Sequence, residues 1–218
     1  MKSDIKSLTL DQIEETFRVW GQPAYRAAQL VGWLYRQLAC DWGLMTNLPR
    51  ALRDRLANEY TLNCLELVTL KEAADGTRKF LWRLHDGNMI ESVLIPANPA
   101  LYGGGSDRTT LCVSTQVGCA YRCAFCASGL RGWKRDLATE EIVEQVLAVE
   151  RWYRATCKTP ASAGPVSRIA GDETGDPEAG LAGDALSAPK FQQGTRLVDN
   201  IVVMGMGEPL ANYENLLK

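Results

Sequence analysis

Gly118-Cys119-Ala120-Tyr121-Arg122-Cys123-Ala124-Phe125-Cys126 is the stretch on which the reading of this chain turns. Its three cysteines are separated by three and then two residues. Thiolates are the normal ligands of four-iron clusters, which ordinarily take four of them. Three local thiolates leave one iron open, and an open iron can bind a substrate or cofactor. S-adenosylmethionine (SAM), whose amino and carboxylate groups can chelate that iron, is among the carriers of radical chemistry. A zinc knuckle and three buried thiols are the other readings. Structural zinc almost always has four ligands, often in paired groups, and nothing nearby completes such a set. His85, the only histidine, lies far upstream, and Cys112 precedes the loop in a strand-like run.

Downstream of the loop, Thr139 reads as a helix cap, with Glu140 and Glu141 in a first turn where acidic groups favour the dipole. Ile142, Val146, Val149 and Tyr153 give that helix a buried face. Residues 157–195 are rich in Ala, Gly, Pro, Ser and Asp, too poor in apolar surface to offset ordering entropy, and are read as an inserted loop or disordered segment. Leu197 to Met204 has the pattern of a buried strand, followed by Gly205-Met206-Gly207-Glu208-Pro209-Leu210. A strand over 109–115, the loop, the helix and this second strand form one βαβ unit. A Gly-rich turn at the end of such a strand lets backbone approach a ligand, and Glu208 could meet a cationic amino group there; glycine and proline also simply make turns.

Upstream, Gly103-Gly104-Gly105-Ser106 reads as a flexible joint. Before it, residues 79–84 and 89–95 alternate as strands joined by a turn containing Asp86-Gly87. Glu91 lies in the second of them, an expensive place for a carboxylate unless it faces water or a site. The first sixty residues read as three amphipathic helices. Thr9 and Gln12 form a capping-box pattern opening Leu10 to Trp20, a second helix runs from Pro23 to about Leu38, and a third starts near Asn47 with Leu48, Leu52 and Leu56 on one stripe. Arg26, Arg36, Arg50, Arg53 and Arg55 could touch RNA from this unit or simply solvate it.

The 218 residues carry 24 basic and 26 acidic side chains, so overall charge does not announce a nucleic-acid binder. Between Arg108 and Arg135 there are five basic residues and no acidic one, a surface suited to phosphate-bearing substrate. Seven cysteines, three of them crowded together, favour metal chemistry over a disulfide framework; Cys40, Cys64 and Cys157 stand alone and are assigned no role. No apolar run is long enough to span a membrane and the amino terminus lacks a secretory pattern, so the chain is read as cytoplasmic.

The CxxxCxxC motif with an aromatic before its last cysteine is the signature of radical SAM enzymes. Together with the runs Thr110–Cys119, Val203–Leu210, Ile90–Val93 with Ile95-Pro96, and Gln22–Leu30, the chain resembles the RlmN/Cfr family of radical SAM RNA methyltransferases, its RlmN branch most closely. The resemblance implies an α/β fold: a partial (β/α) radical SAM barrel of which only the first strands are present, with a small helical domain and a β-hairpin linker before it. The divisions expected are 1–60, 61–105 and 106–218, the last carrying the insertion 157–195. It implies a [4Fe-4S] cluster on Cys119, Cys123 and Cys126, with Phe125 near the SAM adenine and Gly207 and Glu208 at the SAM amino group. Glu91 matches the family's proposed proton acceptor, although a strand carboxylate can be an exposed bystander. Cys112 matches a cysteine that resolves a protein–RNA adduct, although a strand cysteine is usually core.

The implied activity is methylation of adenine at carbon 2 in 23S rRNA and certain tRNAs. One SAM methylates a protein cysteine; a second yields a 5′-deoxyadenosyl radical that takes hydrogen from that methyl group. An electron donor such as flavodoxin and a monomeric state are implied with it. The family continues beyond the point corresponding to Lys218, and its methyl-carrying cysteine has no match here, so the expectation is a truncated portion that is inactive alone. The alternatives are Cfr-type methylation at carbon 8 and a non-catalytic cluster- or RNA-binding fragment.

Overall fold

The computed structural model describes residues 2–97, 108–121, 123–130, 132–158 and 196–218. The joint at 103–106 and nearly all of the inserted segment fall outside them. The first helices form as their sequence signals require. Helix α1 (Leu10–Val19) opens on the capping box, with the Thr9 N–H donating to Gln12 Oε1 at 2.9 Å and Gln12 N–H to Thr9 Oγ1 at 3.3 Å. Helix α2 (Tyr25–Val31) continues as one π-turn over Gly32–Arg36, and Leu38 ends it with a φ of 59°. Helix α3 (Arg50–Glu59) starts after Pro49, three residues later than its apolar stripe suggests. Ile13, Phe17, Leu30, Leu34, Leu52 and Leu56 close a core of their own.

The expectation that Cys40 and Cys64 stand alone is corrected: they are joined in a disulfide with Cα atoms 6.0 Å apart. They bracket α3, and the chain beyond it is drawn back beside the amino terminus. Ile5 donates to the Thr61 carbonyl at 3.0 Å, and Asp4 Oδ2 accepts from Asn63 N–H at 2.6 Å. Spacing alone cannot reveal such a pairing.

Strands β1 (Glu66–Glu72), β2 (Arg78–Arg83), β3 (Met89–Pro96) and β4 (Thr109–Cys112) pair antiparallel in order, and β7 (Asn200–Val202) joins β4 in parallel. The predicted strand over 109–115 divides. After Cys112 the chain leaves the large sheet, and β5 (Gln116–Val117) pairs with β6 (Arg135–Asp136) in a separate ribbon. The predicted strand from Leu197 to Met204 holds ladder geometry for three residues only.

Helix α4 (Thr139–Lys158) crosses from β6 towards β7 and covers one face of the sheet. Thr139 is its first residue, and its hydroxyl donates to the Asn215 carbonyl at 3.0 Å. The helix extends to Lys158, so the first two residues of the predicted insertion are helical. Phe80, Trp82, Ile90, Leu94 and Leu111 point from the sheet into a core closed by Ile142, Ala148, Val149 and Tyr153. Phe80 stacks on Trp82 at 5.2 Å between centroids and meets Trp152 edge-on at 4.9 Å. Such pairs contribute about 0.5–1.5 kcal/mol each beyond their buried area.

Three carboxylates of α4 are buried against main chain and cations rather than facing water. Glu150 Oε1 accepts from the N–H groups of Leu197 and Val198 at 2.9 and 3.0 Å, fixing the chain that enters β7. Glu144 pairs with Lys6 of the helical unit and with Arg151. Glu141 binds Arg135 and the Ala138 N–H. The last helix, α5 (Tyr213–Leu217), follows a 3-10 turn over Pro209–Asn212.

Candidate functional site

Residues directly opposite in a ladder share a sheet face, as do alternate residues along a strand. Leu81 lies opposite Glu91, Val93 opposite Cys112, and Cys112 opposite Val202. Glu91 and Cys112 therefore share the face opposite to the one α4 covers, on neighbouring strands. Glu91 is half-exposed with Lys79 Nζ 3.1 Å from its carboxylate, which answers the cost of a carboxylate in this run. Cys112 is buried, and that burial pushes its thiol up from the ordinary value. Iodoacetamide should label Cys112 far more slowly than the exposed Cys123, a difference peptide mass spectrometry of the cluster-free chain will read.

The Cys119–Cys126 loop springs from the end of β5. Gly118 turns it with a φ of 79°, and a side chain there would overlap the Gly132 carbonyl oxygen, so loop backbones meet where only glycine fits. Cys119 is buried, with its sulfur 3.4 Å from the Tyr121 N–H, while Cys123 is exposed and Cys126 half-buried. Hydrogen bonds from the Ser128 backbone and side chain hold the Cys126 thiol below its ordinary value, favouring the ligating thiolate. Among the described residues, the only His, Cys, Asp and Glu set within 4.8 Å is Cys40, Cys64 and Glu144. Cys119, Cys123 and Cys126 do not form such a set. Phe125 is 94% exposed.

The turn over 205–208 lies against the residues that lead into the loop. Gly205 N–H donates to the Val113 carbonyl at 3.0 Å, and the Met206 carbonyl accepts from Thr115 and Gln116. A Cβ on Gly205 would come within 2.6 Å of that Val113 oxygen, and one on Gly207 within 2.7 Å of Gln116. Glu208 caps the following 3-10 turn by accepting from Leu210 N–H at 3.2 Å.

A set of buried polar side chains that sequence reasoning missed holds this arrangement. Gln145 of α4 accepts from Ser114 N–H at 2.8 Å and donates to its carbonyl at 2.9 Å, while Ser92 Oγ donates to the same Gln145 oxygen. Ser114 Oγ donates to the Glu91 carbonyl at 2.6 Å and accepts from Met206 N–H at 2.9 Å. Asn212 donates to the carbonyls of Thr115 and Leu137, both at 2.8 Å. The available signal was their bracketing of the two motifs, Ser114 and Gln116 before the cysteines and Asn212 after Pro209.

The basic surface read from the sequence is revised by these contacts. Arg135 is held between Asp86 and Glu141, each at 2.7 Å, and Lys134 donates to Asn88 at 3.0 Å. These two cations anchor the hairpin turn to the loop's return strand. Burial alone would raise the Asp86 carboxyl, but hydrogen bonds from Asn88 and Arg135 hold it below the usual aspartate value. Arg122 and Arg131 lie outside the described residues. In the helical unit, Arg26 and Arg53 bind the carbonyls of Asn47 and Gly43, and Arg55 lies over the Trp20 ring. His85, far from the loop in sequence, sits 3.5 Å from Glu141.

Residues 3–62 match the model of the ribosomal RNA large subunit methyltransferase N-terminal domain, the RlmN N-terminal family. The remaining residues agree with it. The "Probable dual-specificity RNA methyltransferase RlmN 3" of Opitutus terrae is 42% identical over the whole chain, which spans 50% of that relative. Over its whole length the chain is similar to RlmN methyltransferases. The dual-specificity RNA methyltransferase RlmN of Anaeromyxobacter sp. is 40% identical over 99% of the chain and 46% of its own length. The crystal structure of a radical SAM methyltransferase from Sphaerobacter thermophilus superposes with a TM-score of 0.70 at 38% identity, covering 99% of this chain and 50% of that one. The chain thus spans about half the length of the curated relatives it matches.

Proposed function

We propose that this chain supplies the cluster-binding and SAM-facing part of a methyltransferase acting on adenine carbon 2 in 23S rRNA and certain tRNAs. The observation that carries the reading is the joining of the Cys119–Cys126 loop to the Gly205–Glu208 turn, beside the parallel pair β4–β7. Three thiolates fit a cluster that keeps one iron open, and the close backbone turn fits a SAM amino group, with the Glu208 carboxylate as its counter-charge. Bound there, the cluster and SAM supply the radical chemistry that an electron-poor ring carbon demands. Phe125, on the exposed loop, would be the side chain to flank the adenine of SAM. Glu91 accepts the proton that leaves the ring, and Cys112, on the same sheet face, resolves the adduct between protein and RNA.

The sheet β1-β2-β3-β4-β7 is read as the opening of a partial barrel, preceded by a helical accessory domain over 1–60 and a linker over 61–105. The activity proposed is that of the whole protein its relatives exemplify, a monomer in the cytoplasm that takes electrons from a flavodoxin-like donor. Its methyl-carrying cysteine has no match in these residues, so the 218-residue chain alone should not methylate RNA.

The test is mass spectrometry of digested 23S rRNA and tRNA from a methylation-deficient bacterium. The cells express either this chain or this chain continued by a relative's remaining half. Methyl at adenine carbon 2 with the longer protein only is the expected result. Methyl at carbon 8 would transfer the reading to Cfr-type chemistry, and methylation by the short chain would refute its inactivity.

A further inference from the structure

The polar contacts at the site converge on one buried side chain that no motif singled out. Gln116 is 1% exposed. Its Oε1 accepts from two backbone N–H groups at once: that of Ala120, directly after Cys119, at 3.1 Å, and that of Glu208 at 3.0 Å. Its Nε2 donates to Asp136 Oδ1 at 2.7 Å, an oxygen that also accepts from Trp133 Nε1 at 3.2 Å. These partners fix the amide's orientation, because the reverse would aim N–H groups at N–H groups and a carbonyl at a carboxylate. The stem is equally confined: a Cβ on Gly207 would lie within 2.7 Å of its Cβ and Cγ.

We infer that Gln116 is a positioning residue, a clamp whose single carbonyl oxygen sets the separation between the cluster loop and the Gly205–Glu208 turn before any cofactor arrives. Asparagine is one methylene too short to keep both N–H groups on one oxygen while reaching Asp136. Methionine has the length and fills the space but accepts hydrogen bonds only weakly. The inference rests on the cluster reading for its purpose and on the hydrogen bonds alone for its existence, so the two can fail separately.

The experiment compares the unaltered chain with Q116M, first without cofactor, by hydrogen–deuterium exchange of peptides spanning 118–126 and 204–212. Removing the shared acceptor should speed exchange at Ala120 and Glu208 together by about tenfold, the factor that corresponds to one ordinary hydrogen bond. Peptides from 80–94 should be unchanged. After anaerobic reconstitution, Q116M should still bind iron through its three thiols but lose it to a ferrous chelator about tenfold faster. Unchanged exchange at both amides, or faster exchange with unchanged iron loss, overturns the positioning role.

Should Q116M fail to fold, Q116E/D136N retains an oxygen for both N–H groups and restores a donor on the Asp136 side. It should exchange like the unaltered chain, and rapid exchange at both amides would overturn the clamp. If the unaltered chain takes up no iron, the cluster reading fails and exchange alone judges the clamp.

Discussion

Converting Cys119, Cys123 and Cys126 together to alanine should leave a folded, colourless chain where the unaltered one, reconstituted anaerobically with iron and sulfide, turns brown. The difference is all or none because the loop offers no substitute donor set. His85 pairs with Glu141 on another element, and Cys112 lies on the sheet with its thiol buried. Folding should survive, since Cys123 is exposed, Cys126 is half-buried, and alanine keeps the β-carbon of the buried Cys119 while giving up its sulfur's contact with the Tyr121 N–H. Iron content, visible absorption and the spectrum of the reduced cluster read the outcome. Brown colour retained by the triple variant, or none in the intact chain, would remove the cluster from the account; a zinc protein would be colourless in both.

The second large effect lies away from the cysteines. Gln145→Leu, which is close in volume, should destabilise the chain by about 2–6 kcal/mol, because it strands the buried Ser114 N–H and carbonyl, each orphan costing about 1–3 kcal/mol. Domains are commonly stable by only about 5–15 kcal/mol, so urea unfolding should register the change as a large fall in midpoint with little change in slope. Ser92 would also lose its acceptor, while Trp82 Nε1 keeps its 3.2 Å bond to the Ser92 oxygen. A loss under 1 kcal/mol would mean that Ser114 finds other partners and that α4 does not brace the approach to the loop.

What could be read in advance, and what could not, divides along physical lines. Apolar periodicity and turn chemistry are local, so α1 with its capping box and the hairpin of β2 and β3 were legible. The Gly205–Glu208 turn was legible because backbone permissiveness is written in adjacent residues; the ligand spacing of Cys119, Cys123 and Cys126 is equally local, and the proposed cluster rests on it. Glu141, Glu144, Gln145 and Glu150 are polar residues of a helix whose apolar face alone was read as buried, yet all four are buried. Beside the local partners Arg135, Ala138 and Arg151, their contacts come from residues 6, 92, 114 and 197, which lie far away in sequence. Gln116 and Asn212 were hidden for the same reason, and the Cys40–Cys64 bond for want of any spacing rule.

That bond sets a redox requirement of its own, apart from that of the Cys119–Cys126 loop. Closing a loop of about 25 residues around α3 restricts the unfolded chain, and in the chain-entropy view this favours the folded helical unit by about 3.5 kcal/mol. None of that advantage resides in a contact visible in the folded state. Thiol reductants that protect an oxygen-labile cluster act on it too, by restoring freedom to the denatured ensemble. A solution reducing enough to keep Cys119, Cys123 and Cys126 as thiols therefore makes residues 40–64 easier to unfold, so the helical unit and the proposed cluster site favour opposite redox conditions.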